Sequence, residues 1–195
     1  MDVTRLLSDL VAVNSVNPSL VPGAPGEAEV AEVAAQALRD AGLDVVIELA
    51  AEGRPNVIGV LEGREPGPSM MFCGHLDTVG VSGMDEPFFP FIDNGRLYGR
   101  GAQDMKGGVA AMIAAAAVLA PTWSRGRLIV ACVADEEFES IGADALVKTW
   151  KADAAIVTEP TDLRMAVGHK GFAWLEVGTK GRAAHGRPPA EGRDA

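Results

Sequence analysis

Acidic residues and one histidine stand next to several apolar segments of this sequence, and such side chains suit metal binding or proton transfer. The stretch CGHLDTV places His75 and Asp77 directly after the apolar run Met70–Cys73. Further carboxylates stand beside three other apolar segments, at Asp104, Asp135, Glu136, Glu137 and Glu159. Four separate segments therefore deliver histidine, aspartate or glutamate to the ends of predicted strands and helices.

A dinuclear metal site is the chemistry that uses such a set. Zinc binds imidazole and carboxylate ligands, and a bridging carboxylate holds a pair of ions about 3.5–4 Å apart. Cations also offset the repulsion among clustered carboxylates such as Asp104, Glu137 and Glu159. A neighbouring carboxylate that binds no metal can accept a proton from water.

Each of these residues, taken alone, has a simpler interpretation. Asp104 would be the N-cap of the helix that follows it, and Glu159 would belong to an ordinary turn. Glu136 and Glu137 would be solvated charges at the start of a helix. A single His75 after a strand is more often a hydrogen-bonded structural residue than a ligand. The metal interpretation depends on the coincidence of four segments.

The elements that must position these residues alternate between strands and helices. Apolar spacing predicts helices at Thr4–Val13, Glu27–Ala41, Met105–Leu119 and Ile141–Trp150. Strands are predicted at Leu43–Leu49, Asn56–Leu61, Met70–Cys73, Arg127–Ala134, Ala154–Val157, Met165–Gly168 and Gly171–Gly178, with a surface turn at Gly63–Pro68 and a hairpin at Phe91–Arg100. This order predicts an α/β fold with helices on both faces of a mostly parallel sheet, where ligands bind at the strand ends.

Composition narrows the classes of partner. Lysine and arginine number 17 against 27 aspartates and glutamates, a formal net charge of -10, which argues against a nucleic acid or an anionic membrane as partner. The longest apolar run, Val109–Ala120, is much shorter than the roughly 20 residues that cross a bilayer, and the first residues lack a secretory signal. We expect Cys73 and Cys132, both inside apolar runs, to be buried and reduced, which favours a cytoplasmic location.

The sequence resembles the zinc metallohydrolase family of aminoacylase, acetylornithine deacetylase, succinyl-diaminopimelate desuccinylase and glutamate carboxypeptidase. The matching segments are LLSDLVAVNSVNP, GHLDTV, GRLYGRGAQDMKGG, ADEEFESIGA, VTEPT and GRAAHGRPPAEGRDA, in the order that the family uses. The resemblance implies a phosphorylase/hydrolase-like α/β catalytic domain at residues 1–166. It further implies the start of an inserted α+β lid or dimerisation domain at residues 167–195, and a homodimeric full-length protein.

The resemblance also implies a zinc site with two ions, which cobalt or manganese could replace. His75 and Glu159 would bind one ion, Glu137 would bind the other, and Asp104 would bridge both. Asp77 would orient His75 through a hydrogen bond from behind the ligand.

Two further residues take roles in the reaction by the same resemblance. Glu136 would be the general base. His185, in AAHGRP, is similar to the lid histidine that reaches the active site of a partner subunit, where it helps to hold the substrate or the developing oxyanion. His169 and Lys170 match no catalytic residue of the family.

One expected ligand is missing. The family supplies a last zinc ligand, a histidine, near the end of a chain roughly twice this long, whereas this sequence has three histidines, His75, His169 and His185. We therefore interpret the sequence as an N-terminal portion in which one ion keeps its three ligands. The second ion would have Asp104, Glu137 and a gap.

The expected activity is metal-dependent hydrolysis of the amide bond of an N-acyl amino acid, as in acetylornithine deacetylase or the desuccinylase. A truncated, non-catalytic metal-binding fragment is the alternative from another class. A carboxypeptidase or aminopeptidase of the same family is a further alternative, although Glu159 is similar to deacylases and carboxypeptidases, and aminopeptidases tend to carry aspartate there.

Overall fold

A computed structural model describes residues 1–168, 171, 173, 175 and 177–180. The chain divides into two compact units, Met1–Asp162 and Leu163–Ala195. In the second unit the described residues form neither helix nor strand, so the predicted strand at Met165–Gly168 is wrong, and the one at Gly171–Gly178 lies partly outside the described residues. A strand must pair its backbone groups with a neighbour, and apolar composition alone does not supply one.

Met1–Asp162 contains a five-stranded sheet in the order β1-β2-β6-β3-β7 and a separate β4-β5 hairpin. The strands are β1 Asp44–Ala51, β2 Arg54–Glu62, β3 Glu65–His75, β4 Phe91–Asp93, β5 Arg96–Tyr98, β6 Arg125–Val133 and β7 Ala154–Val157. β2 is antiparallel to both of its neighbours, whereas β3 is parallel to β6 and to β7. Four strands of this sheet therefore share one direction, which confirms the predicted fold class.

Helices cover both faces of the sheet. They are α1 Val3–Ala12, α2 Ala28–Asp40, α3 Gly107–Leu119 and α4 Ile141–Thr149. The first three pack with Leu128, Val130 and Cys132 on one face, whereas α4 packs through Leu146 against the other. The other face of β6 carries Ile129, Ala131 and Val133. β6 is therefore apolar on both sides because alternate residues of a strand point to opposite faces.

Two departures from the predicted boundaries have a cause in the local backbone. α3 begins at Gly107 rather than Met105, because Asp104 has extended backbone angles (φ -118°, ψ 100°) and does not cap the helix. Gly63–Pro68 is not wholly a surface turn: β3 begins at Glu65, which pairs with Arg125 before an irregularity in the register.

The segment Ala102–Thr122 is, by length and composition alone, apolar enough to cross a membrane. Its middle part is α3, in which Val109, Met112 and Ile113 are buried in the main core. These contacts are those of a core helix in a globular domain. Cys73 and Cys132 form no disulfide, as predicted, but only Cys132 is fully buried, whereas Cys73 is partly exposed.

Candidate metal centre

The ends of three strands bring the candidate ligands to one edge of the sheet. β3 ends at His75, which pairs with Val133 of β6, and Cys73 pairs with Val157 of β7. Because these strands are parallel, the residues that follow β6 and β7 emerge beside His75. Glu136 and Glu159 reach the site in this way.

The His75 imidazole faces three carboxylates. Its Nε2 atom lies 3.2 Å from Oδ1 of Asp104, 3.7 Å from Oε2 of Glu136 and 3.7 Å from Oε1 of Glu159. The imidazole is 1% exposed, whereas the side chain of Glu136 is 46% exposed. A buried nitrogen thus points toward carboxylates that are open to solvent on their other side.

The second ring nitrogen of His75 is occupied by Asp77. Nδ1 lies 2.9 Å from the main-chain oxygen of Asp77 and 3.4 Å from its Oδ1. An Nδ1–H that donates to this carbonyl leaves the lone pair on Nε2, which is the tautomer a metal ligand needs. The main-chain oxygen of Asp77 is thus a nearer partner of Nδ1 than its carboxylate.

Three of these groups fit a divalent cation. His75, Asp104 and Glu159 each offer one ligand atom, and these atoms lie within 4.8 Å of one another. One imidazole with two carboxylates is a donor set that zinc accepts, and it also suits other divalent ions. The chemistry of this set, with its excess of negative charge, fits a metal.

Charge perturbs the titration of the metal-free site. Burial by itself lowers the pKa of His75, but hydrogen bonds to Asp104 and Asp77 and nearby carboxylates raise it to about 11. The hydrogen bond from His75 lowers the pKa of Asp104. Without a metal, a proton on His75 therefore balances part of the negative charge that a cation would otherwise balance.

Glu137 lies outside the three-residue cluster but within its electrostatic field. Burial raises its pKa to about 7; the charge of His75 opposes this rise, and Asp104, Asp77 and Glu136 add to it. Burial also raises the pKa of Glu159. Both glutamates are therefore held where a neighbouring cation would favour their ionised form.

The Asp77 carboxylate organises the loop that follows β6. It is fully buried and accepts hydrogen bonds from Nδ2 of Asn17 at 2.7 Å and from the main-chain N–H groups of Glu136 and Glu137 at 3.0 and 3.1 Å. The main-chain oxygen and the carboxylate of Asp77 thus position the imidazole and both glutamates. Sequence reasoning gave no role to Asn17, which stands in the segment LLSDLVAVNSVNP.

Lys106 secures the segment that carries Asp104. Its Nζ atom is buried and donates to the main-chain oxygens of Leu10 and Val13 at 2.9 Å each. Burial lowers the pKa of Lys106 to about 7. This side chain ties the irregular segment Ala102–Lys106 to the end of α1.

A buried ion-pair network, also missed by sequence reasoning, lies behind the centre. Arg54 joins Glu27 and Asp135, and all three residues are at most 8% exposed. The sequence placed Glu27 at the start of a predicted helix and Asp135 among the carboxylates beside apolar segments, without a role for either. No local spacing pairs these residues, and an isolated arginine just before the predicted strand Asn56–Leu61 was the one available signal.

The structure does not describe every residue that the sequence analysis named. His185, predicted to act from a lid, and His169 and Lys170 lie outside the described residues. The roles of the metal ligands and of Glu136 stay predictions, although the geometry brings His75, Asp104, Glu136 and Glu159 together.

Comparison with known proteins identifies relatives. Residues 71–190 match the peptidase family M20/M25/M40. A probable succinyl-diaminopimelate desuccinylase of Staphylococcus epidermidis is 31% identical, with 100% of this chain aligned to 48% of that protein. An acetylornithine deacetylase of Aliivibrio fischeri is 31% identical, over 95% of this chain and 50% of that protein. The chain spans about half the length of the curated relatives it matches.

Solved structures share the fold. Human carnosine dipeptidase 1 superposes with a TM-score of 0.66 at 23% identity, over 80% of this chain and 37% of that one. A family M20 metallo-carboxypeptidase of Sulfolobus solfataricus gives 0.67 at 23% identity, over 81% and 37%.

Proposed function

Because this chain belongs to the peptidase family M20/M25/M40, we propose that it forms a dinuclear zinc site for hydrolysing the amide bond of an N-acyl amino acid. The observation that carries the proposal is the orientation of His75, whose Nε2 faces Asp104, Glu136 and Glu159. A structural histidine has no need of three carboxylates on one nitrogen.

The ligands divide between two ions. His75 and Glu159 would hold one, Glu137 would hold the other, and the carboxylate of Asp104 would serve both. When bound, such ions polarise a carbonyl oxygen and make water more acidic. Asp77 keeps the lone pair of His75 on Nε2 through the hydrogen bond at Nδ1.

Glu136 moves the proton. Its main-chain N–H is held by Asp77, and its half-exposed carboxylate reaches the centre at 3.7 Å from the imidazole. It takes a proton from the attacking water and delivers it to the leaving nitrogen of the amide. This exchange returns Glu136 to its ionised form for the next turnover.

The relatives suggest the substrate class. They include a probable succinyl-diaminopimelate desuccinylase and an acetylornithine deacetylase, so we place the substrate among N-acetyl or N-succinyl amino acids. In this proposal the protein acts as a homodimer in the cytoplasm, and His185 contacts the substrate bound by a partner subunit. Glu159 argues against unblocked peptides as substrates, because the aminopeptidases of the family tend to carry aspartate at this position.

A second candidate is a metal-binding chain without turnover. The observation that favours it is that His75 is the only histidine among the described residues, whereas two zinc ions usually share more imidazole ligands.

One assay separates the two candidates. The 195-residue chain is freed of metal, reconstituted with zinc and incubated with N-acetylornithine, N-succinyl-diaminopimelate or an unblocked dipeptide. Zinc-dependent release of acetate or succinate supports the hydrolase. Tight zinc binding without product supports the second candidate, and cleavage of the dipeptide alone would favour an aminopeptidase.

A further inference from the structure

We propose that Arg54 is a positioning residue for the metal centre, and that it acts by fixing the loop that carries Glu136 and Glu137. This inference rests on the proposed metal site but concerns residues that do not touch the metal or the substrate. The path runs from Arg54 through Asp135 to the loop itself.

Arg54 is clamped between two acidic residues. Its Nε and Nη2 atoms donate to Oε2 and Oε1 of Glu27 at 2.6 and 2.7 Å, and Nη2 also donates to Oδ1 of Asp135 at 2.9 Å. The side chain of Arg54 is 10% exposed and that of Glu27 is not exposed at all. The planar fork of arginine allows this two-point pairing, which a lysine ammonium cannot reproduce.

The reversed direction of β2 explains why Arg54 lies here. Within the described sheet β2 runs opposite to β6, so the first residues of β2 lie beside the last residues of β6: Val57 pairs with Cys132. Arg54 therefore stands at the edge where the ligands emerge. A parallel strand in this place would have put the arginine at the far edge.

Asp135 transmits the position of Arg54 to the loop. Its main-chain N–H donates to Oε1 of Glu27 at 3.1 Å, and its Oδ2 accepts from the N–H groups of Glu139 at 3.2 Å and Ile141 at 3.5 Å. Asp135 also has a left-handed backbone with φ 64°, a conformation that needs support in a residue other than glycine. Both ends of residues 135–141 are thereby fixed.

Asn17 links this network to the centre. Its Nδ2 atom donates to Oδ1 of Asp135 at 2.9 Å and to Oδ2 of Asp77 at 2.7 Å. Asp77 in turn holds the main-chain N–H groups of Glu136 and Glu137. Displacement of Asp135 would therefore move Glu136 and Glu137 in two ways, directly along the main chain and indirectly through Asn17 and Asp77.

Arg54 also neutralises charge that would otherwise be unpaired. Glu27 and Asp135 are buried at 0% and 1% exposure, and a buried carboxylate without a partner moves toward water or takes up a proton. Loss of the fork would thus open the loop at the residue that precedes Glu136.

The test compares Arg54→Lys with Arg127→Lys. Arg127 makes a similar 2.6 Å contact with Glu62, but this pair is about half exposed and lies at the opposite end of β6. Zinc affinity is measured by competition with a chromophoric chelator, and turnover is measured on the zinc-loaded protein. We expect Arg54→Lys to bind zinc about 10-fold more weakly, with kcat reduced more than KM is changed, and Arg127→Lys to match the unmodified chain.

Three results are decisive. If the unmodified chain binds no zinc, the proposed function fails, whatever Arg54 does. If that chain binds zinc and folded Arg54→Lys binds it equally well with only a lower Tm, the positioning role is overturned and Arg54 serves stability alone. If Arg54→Lys does not fold, Glu27→Gln takes its place, because it retains the acceptor for Asp135 and loses the charge; weaker zinc binding supports the inference and unchanged binding refutes it.

Discussion

Nε2 of His75 lies 3.2 Å from Oδ1 of Asp104, although the two residues are 29 positions apart in the chain. β3 brings the imidazole to the edge of the sheet, and an irregular segment before α3 brings the carboxylate. At this distance the lone pairs of the imidazole nitrogen and the carboxylate oxygen repel each other unless a proton or a cation lies between them.

Replacing His75 by alanine should remove the metal. His75→Ala deletes the imidazole that faces Asp104 and Glu159, and the remaining carboxylates repel one another. We expect zinc affinity to fall by about 100-fold or more, since even partners that merely support a ligand change affinity by 10–100-fold. Metal analysis after dialysis measures this, with Glu62→Gln on the surface as the control. Full zinc retention in His75→Ala would contradict the site.

Replacing Glu136 by glutamine should separate chemistry from metal binding. Glu136→Gln keeps the shape of the side chain but loses the proton acceptor, so kcat should fall by about 10²–10⁴-fold with zinc content unchanged. Turnover and metal content are measured on the same preparation. Loss of zinc together with activity would reassign Glu136 as a ligand.

Metal binding should strengthen with pH. Burial raises the pKa of Glu137 from 4.5 to about 7, and in His75 hydrogen bonds to Asp104 and Asp77 overcome burial and raise the pKa to about 11. Each group must lose its proton to bind a metal, so binding releases protons and higher pH favours it. In the metal-free protein, the contribution of Glu137 to the free energy of unfolding depends on pH in the opposite direction. This contribution is present below about pH 4.5 and is lost as the pH rises through about 7.

Thermal unfolding with zinc and with a chelator measures this dependence. The increase in Tm caused by zinc should be larger at about pH 8 than at about pH 6, because tighter binding gives greater stabilisation. Taking the difference in Tm between the zinc-bound and the metal-free protein cancels the effect of groups away from the centre that titrate alike in both. Glu137→Gln should show a weaker pH dependence, and an equal zinc effect at both pH values in the unmodified chain would refute the prediction.

The core of the sheet should be more sensitive to truncation than its edge. Ile129 is fully buried in β6, in a cluster with Met71 and Leu146, so Ile129→Ala should cost about 2–5 kcal/mol in the free energy of unfolding. Ile156 in β7 is 48% exposed, and Ile156→Ala should cost about 1 kcal/mol or less. Urea denaturation monitored by circular dichroism compares the two. Similar losses in the free energy of unfolding for the two variants would mean that β7 is covered in solution.

Sequence patterns were sufficient for most of the architecture. Apolar spacing located the four helices and the sheet strands to within a few residues, because helical and strand periodicity are local properties of the chain. The same patterns failed at Asp104, where an irregular backbone delays α3, and at Glu65, where an irregular strand resembles a turn. Both errors lie where the backbone departs from regular periodicity. The strand predicted at Met165–Gly168 failed for another reason, because apolar composition alone does not supply a neighbouring strand for pairing.

The sequence by itself determined which residue types stand at the ends of which strands, and hence the candidates His75, Asp104, Glu136 and Glu159. Only the tertiary structure decided which nitrogen of His75 faces the carboxylates, and that Arg54 pairs with Glu27 and Asp135. These pairs are separated by 27 and 81 positions. Arg54 meets Asp135 because β2 lies reversed beside β6, and strand order depends on how whole faces pack rather than on any local spacing.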